Sequence, residues 1–247
     1  MKHKKLTTLI FFIFLVYFSG AQSTKIYNDP DVDFKEAKEL YQQQKFSLAY
    51  PLFEKLYLDN ARQSSIPISV QTEAKYYSIV CRLQLNDITA VDDATEFIAL
   101  EHNAPRIEMM CYQLGEYYYK HRDFSDAITY YEKANVANLS NAEIGTMKFH
   151  EGYGYFAMQR FSDAKPLFEA ISQIPSDANY YDANYYYGYI AFSEKNYTQA
   201  LTSFQVIEKQ PTYQPIIPYY IAEIYYYRGE KDKALQYAEN ALQSNNQ

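Results

Sequence analysis

Residue types that perform chemistry are few and scattered in this sequence. The four histidines stand far apart, at His3, His102, His121 and His150. The acidic residues Asp92, Asp93 and Glu96 are typical of a solvated helix face or of a helix N-terminus. HExxH, Gly-x-Ser-x-Gly, CxxC and glycine-rich phosphate-binding motifs do not occur. We therefore predict that the protein is not an enzyme and uses no metal or cofactor, and we assign the lone His150 a structural role.

Aromatic residues carry the stronger signal, since the chain has 29 tyrosines and 15 phenylalanines but no tryptophan. An alanine recurs at Ala127, Ala164, Ala200 and Ala234, and we consider the residues fifteen, eleven and eight positions before each. Separations of four and three residues place such a trio on one face of a helix. Ten of these twelve residues are aromatic, and together they form what we call the aromatic ladder: Tyr112, Glu116, Tyr119, Phe149, Tyr153, Phe156, Tyr185, Tyr189, Phe192, Tyr219, Glu223 and Tyr226.

Pairs of helices must position this ladder. The repeat alanines are 37, 36 and 34 residues apart, about the length of one helix–turn–helix unit. A small residue stands twelve positions before each alanine, at Gly115, Gly152, Gly188 and Ala222. Glycine costs a helix about 1 kcal/mol relative to alanine, so we expect close packing of the paired helix to compensate. In the best-defined unit, 108–134, two helices are joined by a turn at 121–123, and the second helix is predicted to reach Ala134.

Two less regular pairs precede this array. The pattern predicts helices over 33–43 and 46–58, then over 70–85 and 91–101, with a spacing of 45 residues from Ala49 to Ala94. We predict divergent pairs in 22–104 and a regular array in 105–247, whose last helix spans about 231–244. The whole chain is therefore expected to be all-α, with six helical pairs and little or no strand.

The repeated residues are those of a known family. The clearest matches are Leu114, Gly115, Tyr118, Phe124, Ala127, Tyr131 and Ala134, then Gly152, Tyr155, Phe161, Ala164 and Phe168, then Gly188, Tyr197, Ala200 and Phe204, then Ala222, Tyr225, Gly229, Ala234 and Ala241. Over 31–244 the chain resembles a tetratricopeptide-repeat (TPR) protein. The departures are the irregular second unit, the missing tryptophan, and Lys231, which stands where an aromatic residue is expected. The resemblance implies a right-handed α–α superhelix of stacked pairs, each contacting only its neighbours.

The resemblance also implies a function, the binding of proteins in a concave groove lined by the first helix of each pair. The aromatic ladder would then be the partner-binding surface, because tyrosine combines apolar area with a hydroxyl and is favoured at interface hot spots. Family members that clamp a C-terminal carboxylate use Lys, Arg and Asn on this face, and Lys120 and Arg160 near the turns do not replace them. We therefore expect a protein or an extended peptide with apolar or aromatic side chains, and a basic residue near Glu116 and Glu223.

Two alternatives to peptide binding stay open. In the first, the tyrosines only fill the seam where the first helices of adjacent units stack. In the second, rows of tyrosine stack against sugar rings and the protein binds glycans, although flat sugar platforms are commonly tryptophan.

The N-terminus predicts export. Lys2, Lys4 and Lys5 precede an apolar run over 6–18, and the small residues of 19–21 predict cleavage between Ala21 and Gln22. The run is short of the roughly 20 residues that span a bilayer, and no later stretch is long and apolar enough. Cleavage removes three lysines and no acid, which changes the net charge from -7 to -10. This acidic balance without a basic cluster argues against a nucleic-acid partner. Exported proteins with this resemblance are often periplasmic and act in envelope assembly or secretion.

Two further features bear on stability and partners. Cys81 and Cys111 are expected on the first helices of adjacent units, where either a disulfide or two buried free thiols are compatible with the sequence. The last helix carries polar Gln236, Glu239 and Asn240, and three alternatives stay open: these residues cap the array, this end docks onto another chain, or the chain is the head of a longer natural protein.

Overall fold

The computed structural model describes residues 30–58 and 66–244, and all of its regular structure is helical. The helices are α1 (Pro30–Gln42), α2 (Phe46–Leu58), α3 (Ile68–Gln84), α4 (Thr89–Leu100), α5 (Ala104–Lys120), α6 (Phe124–Tyr131), α7 (Asn141–Ala157), α8 (Phe161–Ser172), α9 (Tyr180–Ser193), α10 (Tyr197–Ile207), α11 (Ile217–Tyr227) and α12 (Lys231–Ser244). A 3-10 turn at Val136–Asn138 follows α6. The prediction of an all-α chain is confirmed for the described residues.

The twelve helices form six antiparallel pairs, which we number as units one to six along the chain. Within a unit the odd-numbered helix packs on the even-numbered helix that follows it. The second helices α2, α4, α6, α8 and α10 also contact the first helix of the next unit. Hydrophobic clusters accordingly span neighbouring units, as where Phe53 of unit one packs with Ala74 of unit two. The result is the predicted superhelical solenoid.

The first helix of every described unit ends in a turn in which one residue has a positive φ, the left-handed backbone conformation. In unit four, the Gln159 N–H donates to the Phe156 carbonyl at 2.9 Å and the Arg160 N–H donates to the Tyr155 carbonyl at 2.8 Å. This is the Schellman pattern, which satisfies helix carbonyls that have no partner within the helix. It needs a positive φ at one residue per turn, namely at Gln44, Asn86, Arg122, Gln159, Lys195 and Gly229. Five of the six are not glycine, so five of these turns carry conformational strain.

The small residues of the pattern lie where the paired helices approach. The repeat alanines Ala127, Ala164 and Ala200 are buried, and Ala234 is partly buried against the last core cluster. A Cβ at Gly115 would lie 2.5 Å from the Tyr131 ring of the paired helix. That distance is shorter than side chains tolerate, so close packing explains a glycine inside this helix.

One predicted boundary is wrong. We expected the second helix of unit three to reach Ala134, but α6 ends at Tyr131. The Ala134 N–H donates to the Tyr130 carbonyl in the closing turn. Asn135 then uses its side-chain oxygen to accept from the Ala137 N–H, which starts the 3-10 turn. Asparagine favours such local side-chain bonds over a continued helix.

Several predictions concern residues outside the described ranges. The signal peptide, its cleavage after Ala21 and most of the loop over 60–67 lie there. Within 30–58 and 66–244, no helix is long and apolar enough to cross a membrane. Cys81 and Cys111 are buried free thiols, as in the second of the two hypotheses. Burial raises the pKa of both thiols, so both stay protonated at neutral pH.

Candidate partner-binding surface

The aromatic ladder lies along the first helices α5, α7, α9 and α11, and its exposure changes along the chain. Tyr112 and Phe149 are buried, and their rings belong to hydrophobic clusters. The half-buried members are Glu116, Tyr119, Tyr153, Phe156, Tyr185, Tyr189 and Phe192. Tyr219, Glu223 and Tyr226 in unit six are exposed. The middle of the ladder thus combines packing with access to solvent.

An aromatic ring from the following unit packs on the ladder of unit four. The Tyr186 ring lies 4.9 Å from the Phe156 ring and 5.5 Å from the Tyr153 ring, measured between centroids. It also stacks at 5.1 Å and 20° on Phe168 of the second helix. Tyr186 therefore joins three helices. Tyr186 stands one position after ladder residue Tyr185 and is not among the residues predicted for the surface.

The next seam repeats this arrangement. The Tyr220 ring of unit six lies 5.3 Å from Phe192 and stacks at 5.2 Å and 27° on Phe204. Tyr220 and Tyr186 both stand fourteen residues before their repeat alanines. That recurrence was the available sequence signal for this seam. The ladder rings of Tyr153, Phe156 and Phe192 therefore also pack in the stack of units.

Unit three has a polar version of the seam. The His150 ring occupies the equivalent position and stacks on the Tyr119 ring at 3.8 Å and 13°. Its Nδ1 lies 3.0 Å from Glu116 Oε1, and the buried Tyr131 hydroxyl donates to the same oxygen at 2.7 Å. Glu116, which we expected to attract a basic ligand residue, is already engaged by two groups of its own chain.

A cavity of about 240 Å³ opens beside this polar seam. Its lining residues come from α3, α5 and α7 and comprise Leu83, Gln84, Gln113, Glu116, Tyr117, Tyr119, Lys120 and His150. The positively charged Lys120 and the negatively charged Glu116 therefore line this cavity together with the aromatic ring of Tyr119. Lys120, which the sequence analysis set aside as lying near a turn, belongs to this lining.

Burial controls the protonation of several groups on these helices. Burial raises the pKa of Tyr119 to about 12, and Tyr112 is shifted upward further for the same reason. Both hydroxyls therefore remain protonated and can donate hydrogen bonds at neutral pH. Burial, with a smaller contribution from the Glu132 carboxylate, raises the pKa of Glu151 to about 7. Glu151 is thus a group that titrates near neutrality.

The residues considered for chemistry do not assemble into a catalytic or metal site. In the described part of the chain no three or more His, Cys, Asp or Glu residues could hold a metal ion. His121 Nδ1 lies 2.7 Å from the Tyr117 carbonyl oxygen, and His102 is exposed on a loop. Asp93 is hydrogen-bonded to Arg82, which also pairs with Asp87.

Comparisons with known proteins agree with this architecture. Residues 149–215, which cover most of units four and five, match the family model of the tetratricopeptide repeat. A search of curated proteins found no match. The expected resemblance to TPR proteins is confirmed, while the comparisons do not address export.

Solved structures of TPR proteins share the fold. The C-terminal part of a TPR protein from Cytophaga hutchinsonii is 19% identical, with a TM-score of 0.61, over 88% of this chain and 84% of that chain. YrrB, described as a TPR protein with an unusual peptide-binding site, is 18% identical, with a TM-score of 0.59, over 77% and 91%. PilF of Pseudomonas aeruginosa is 13% identical, with a TM-score of 0.55, over 85% and 89%. Identities this low establish the fold alone.

Proposed function

We propose, on the premise of a shared TPR fold, that this chain is a non-enzymatic scaffold that binds a protein or an extended peptide along its aromatic ladder. Proteins with this fold typically serve as protein–protein interaction scaffolds. The finer proposal is that the first helices of units three to five provide the binding surface, and that the scaffold works in an exported, envelope-associated assembly.

The observation that carries the proposal is the row of half-buried aromatic rings on three consecutive first helices. Tyr153 and Phe156 on α7 continue into Tyr189 and Phe192 on α9, and none of the four is fully buried. Rings held on one side by packing lose little conformational entropy when a ligand covers the other side. Tyrosine also keeps a hydroxyl for hydrogen bonds with a peptide backbone. A surface of this kind favours an extended chain with apolar side chains.

The charges refine the ligand that we propose. Because Glu116 already engages Tyr131 and His150, it contributes less to selecting a basic ligand residue than the sequence suggested. Glu223 lies in unit six, outside the proposed surface of units three to five, and accepts a hydrogen bond from the Tyr227 hydroxyl. The cavity beside Glu116 offers donors and acceptors near the middle of the ladder. The ligand would therefore place a polar group at unit three.

The proposed location rests on the sequence. The N-terminal run with cleavage after Ala21 supports export, and an acidic mature chain is suited to partners with basic segments. An envelope fraction from the native cell is therefore the appropriate source of partners.

The test is capture from that envelope fraction, followed by titration of each purified captured protein. The triple variant Tyr153→Ala, Tyr185→Ala, Tyr189→Ala should bind at least about tenfold more weakly, because buried tyrosines are frequent hot spots. The matched triple Tyr→Phe variant keeps the rings and should retain both helicity and most of the affinity. Circular dichroism reports folding, which matters because Tyr185 stacks on Tyr213 at 5.2 Å.

The single variant Tyr189→Ala separates binding from packing. The Tyr189 ring makes edge contacts with the rings of Phe156 at 5.6 Å and Tyr220 at 6.3 Å. If the triple variant unfolds and Tyr189→Ala binds with wild-type affinity, the ladder is packing alone and the proposal is wrong. If the protein binds glycans on an array and captures no protein from the envelope fraction, the glycan-binding alternative replaces this proposal.

A further inference from the structure

Four of the five seams between the described units follow one rule, which defines what we call a ring seat. A ring seat consists of the aromatic residue eight positions before a repeat alanine and the residue four positions after it. In units one, three, four and five the first residue of the seat is Tyr41, Tyr119, Phe156 or Phe192. A ring from the next unit's first helix packs on each of them, namely Tyr77, His150, Tyr186 and Tyr220.

The residue four positions after the repeat alanine, which we call the floor of the seat, is contacted in the same way in three units. Tyr77 stacks on Phe53 at 5.3 Å and 23°, in the same way as Tyr186 stacks on Phe168 and Tyr220 on Phe204. Since these floors come from the second helix, each of these three seats connects two helices of one unit to the first helix of the next. In every occupied ring seat, the group that packs there is an aromatic ring carried by an α-helix.

The seat of unit six differs from the others because Tyr226 is 63% exposed, whereas Tyr41, Tyr119, Phe156 and Phe192 are half-buried. Its floor residue is Ala238, where three other units have phenylalanine, so the seat has room for a large ring. Leu235 and Leu242 follow the same face of α12 at helical spacing and are 60% and 58% exposed. The last unit of the described array thus exposes three large apolar side chains, Tyr226 on α11 and Leu235 and Leu242 on α12.

Acidic side chains accompany this face. Glu223 stands one turn before Tyr226 on α11, and Glu239 follows Ala238 on α12, and both are exposed. Of the cations nearest in sequence, Arg228 and Lys233 both pair with Glu230 in the turn between the helices, and Lys231 is exposed at the start of α12. A partner surface therefore gains from a positive charge. Two copies of this face related by a two-fold axis would instead oppose like charges.

We propose that the end face formed by Tyr226, Leu235, Ala238 and Leu242 docks an α-helix of a partner protein. That helix inserts an aromatic ring over Tyr226 and Ala238 and brings a Lys or Arg side chain to Glu223. The site is separate from the ladder surface of units three to five. It therefore stands or falls independently of the proposed function.

The test uses a hydrocarbon-stapled, fluorescently labelled helix that carries one tyrosine on its apolar face and one lysine a turn away. Fluorescence anisotropy should show binding to the full chain. A peptide with alanine in place of the tyrosine should bind at least about tenfold more weakly. The chain variants Tyr226→Ala and Leu242→Glu should weaken the tyrosine peptide to a similar degree, and both change exposed side chains, so folding is preserved. Tyr189→Ala, on the ladder, should leave this binding unchanged.

A charge exchange makes the assignment specific. Glu223→Lys should weaken binding of the lysine peptide, and a peptide with glutamate in place of the lysine should recover binding to that variant. The proposal is overturned if the stapled helix does not bind, if the alanine peptide binds equally well, or if Tyr189→Ala abolishes binding while Tyr226→Ala does not. It is also overturned if sedimentation shows a dimer that Leu242→Glu dissociates, since a second copy would then occupy the face.

Discussion

Alanine substitution of three equivalent glycines tests whether close helix approach positions the ladder. A Cβ would lie 2.5 Å from the Tyr131 ring at Gly115, 2.7 Å from the Phe204 ring at Gly188, and 3.2 Å from the Phe168 ring at Gly152. The same chemical change at the same repeat position therefore meets three graded contacts. The order of the effects follows from these distances.

Two opposing terms set the magnitude. Replacement of a helical glycine by alanine contributes about 1 kcal/mol of stability, and overpacking a well-packed core costs about 1–3 kcal/mol. At Gly188 the contacted Phe204 ring is fully buried and cannot move outward freely, so we expect a net loss of about 1–2 kcal/mol. At Gly152 a shift of a few tenths of an ångström suffices, and we expect a net change from zero to a gain of about 1 kcal/mol.

Gly115→Ala should be the most damaging, at about 2 kcal/mol, because the ring that must move is anchored by the hydroxyl bond from Tyr131 to Glu116. Urea unfolding followed by circular dichroism gives the three midpoints, and an unchanged slope shows that the denatured state is comparable. If Gly188→Ala is no less stable than Gly152→Ala, or if all three variants are stabilised, helix approach does not explain these glycines.

Three further predictions concern single groups. Gly229→Ala should lower the thermal midpoint through a loss of about 1–2 kcal/mol of stability. The φ of Gly229 is +79° and no atom lies within 4 Å of the Cβ that alanine would add, so only backbone strain contributes. Tyr131→Phe should cost about 2 kcal/mol in urea unfolding, because the buried hydroxyl donates to the charged Glu116. Folding raises the pKa of Glu151 from 4.5 to about 7, so the folded state retains a proton that the unfolded state has lost. Stability should therefore fall as pH rises through that window. Glu151→Gln should reduce this fall by about 1–2 kcal/mol, after allowance for the partial exposure of the side chain. Urea titrations at about pH 4.5 and pH 8 measure the difference.

The helices could be predicted from the sequence because their signals are local. The small residue and the repeat alanine mark the helix contact, and the polar breaks mark the turns, so α2 and α12 begin at the predicted residues Phe46 and Lys231. The end of α6 could not be predicted in this way, because the side chain of Asn135 starts a competing turn. The strain at Gln159 was also not foreseen, since a Schellman turn normally selects glycine.

The candidate surface was predicted less completely, for a geometric reason. Consecutive residues on a helix point about 100° apart, so Tyr185 and Tyr186 serve different surfaces although they are neighbours. The ladder was chosen at one register, and the rings of the seams stand one position later. The network of Tyr131, Glu116 and His150 joins residues up to 34 positions apart, and such pairing is not encoded in any single repeat.

Packing and binding share the same rings in this array, and this has a thermodynamic consequence. Phe156 and Phe192 each hold a ring of the following unit, so the spacing of the ladder depends on the stacking of the units. A ligand that binds the ladder only when the units are stacked must therefore stabilise the stack. At a concentration one hundred times its Kd, such a ligand adds about 2.7 kcal/mol to the free energy of unfolding. A ligand of the end face would instead stabilise unit six first, because each unit of a solenoid contacts only its neighbours.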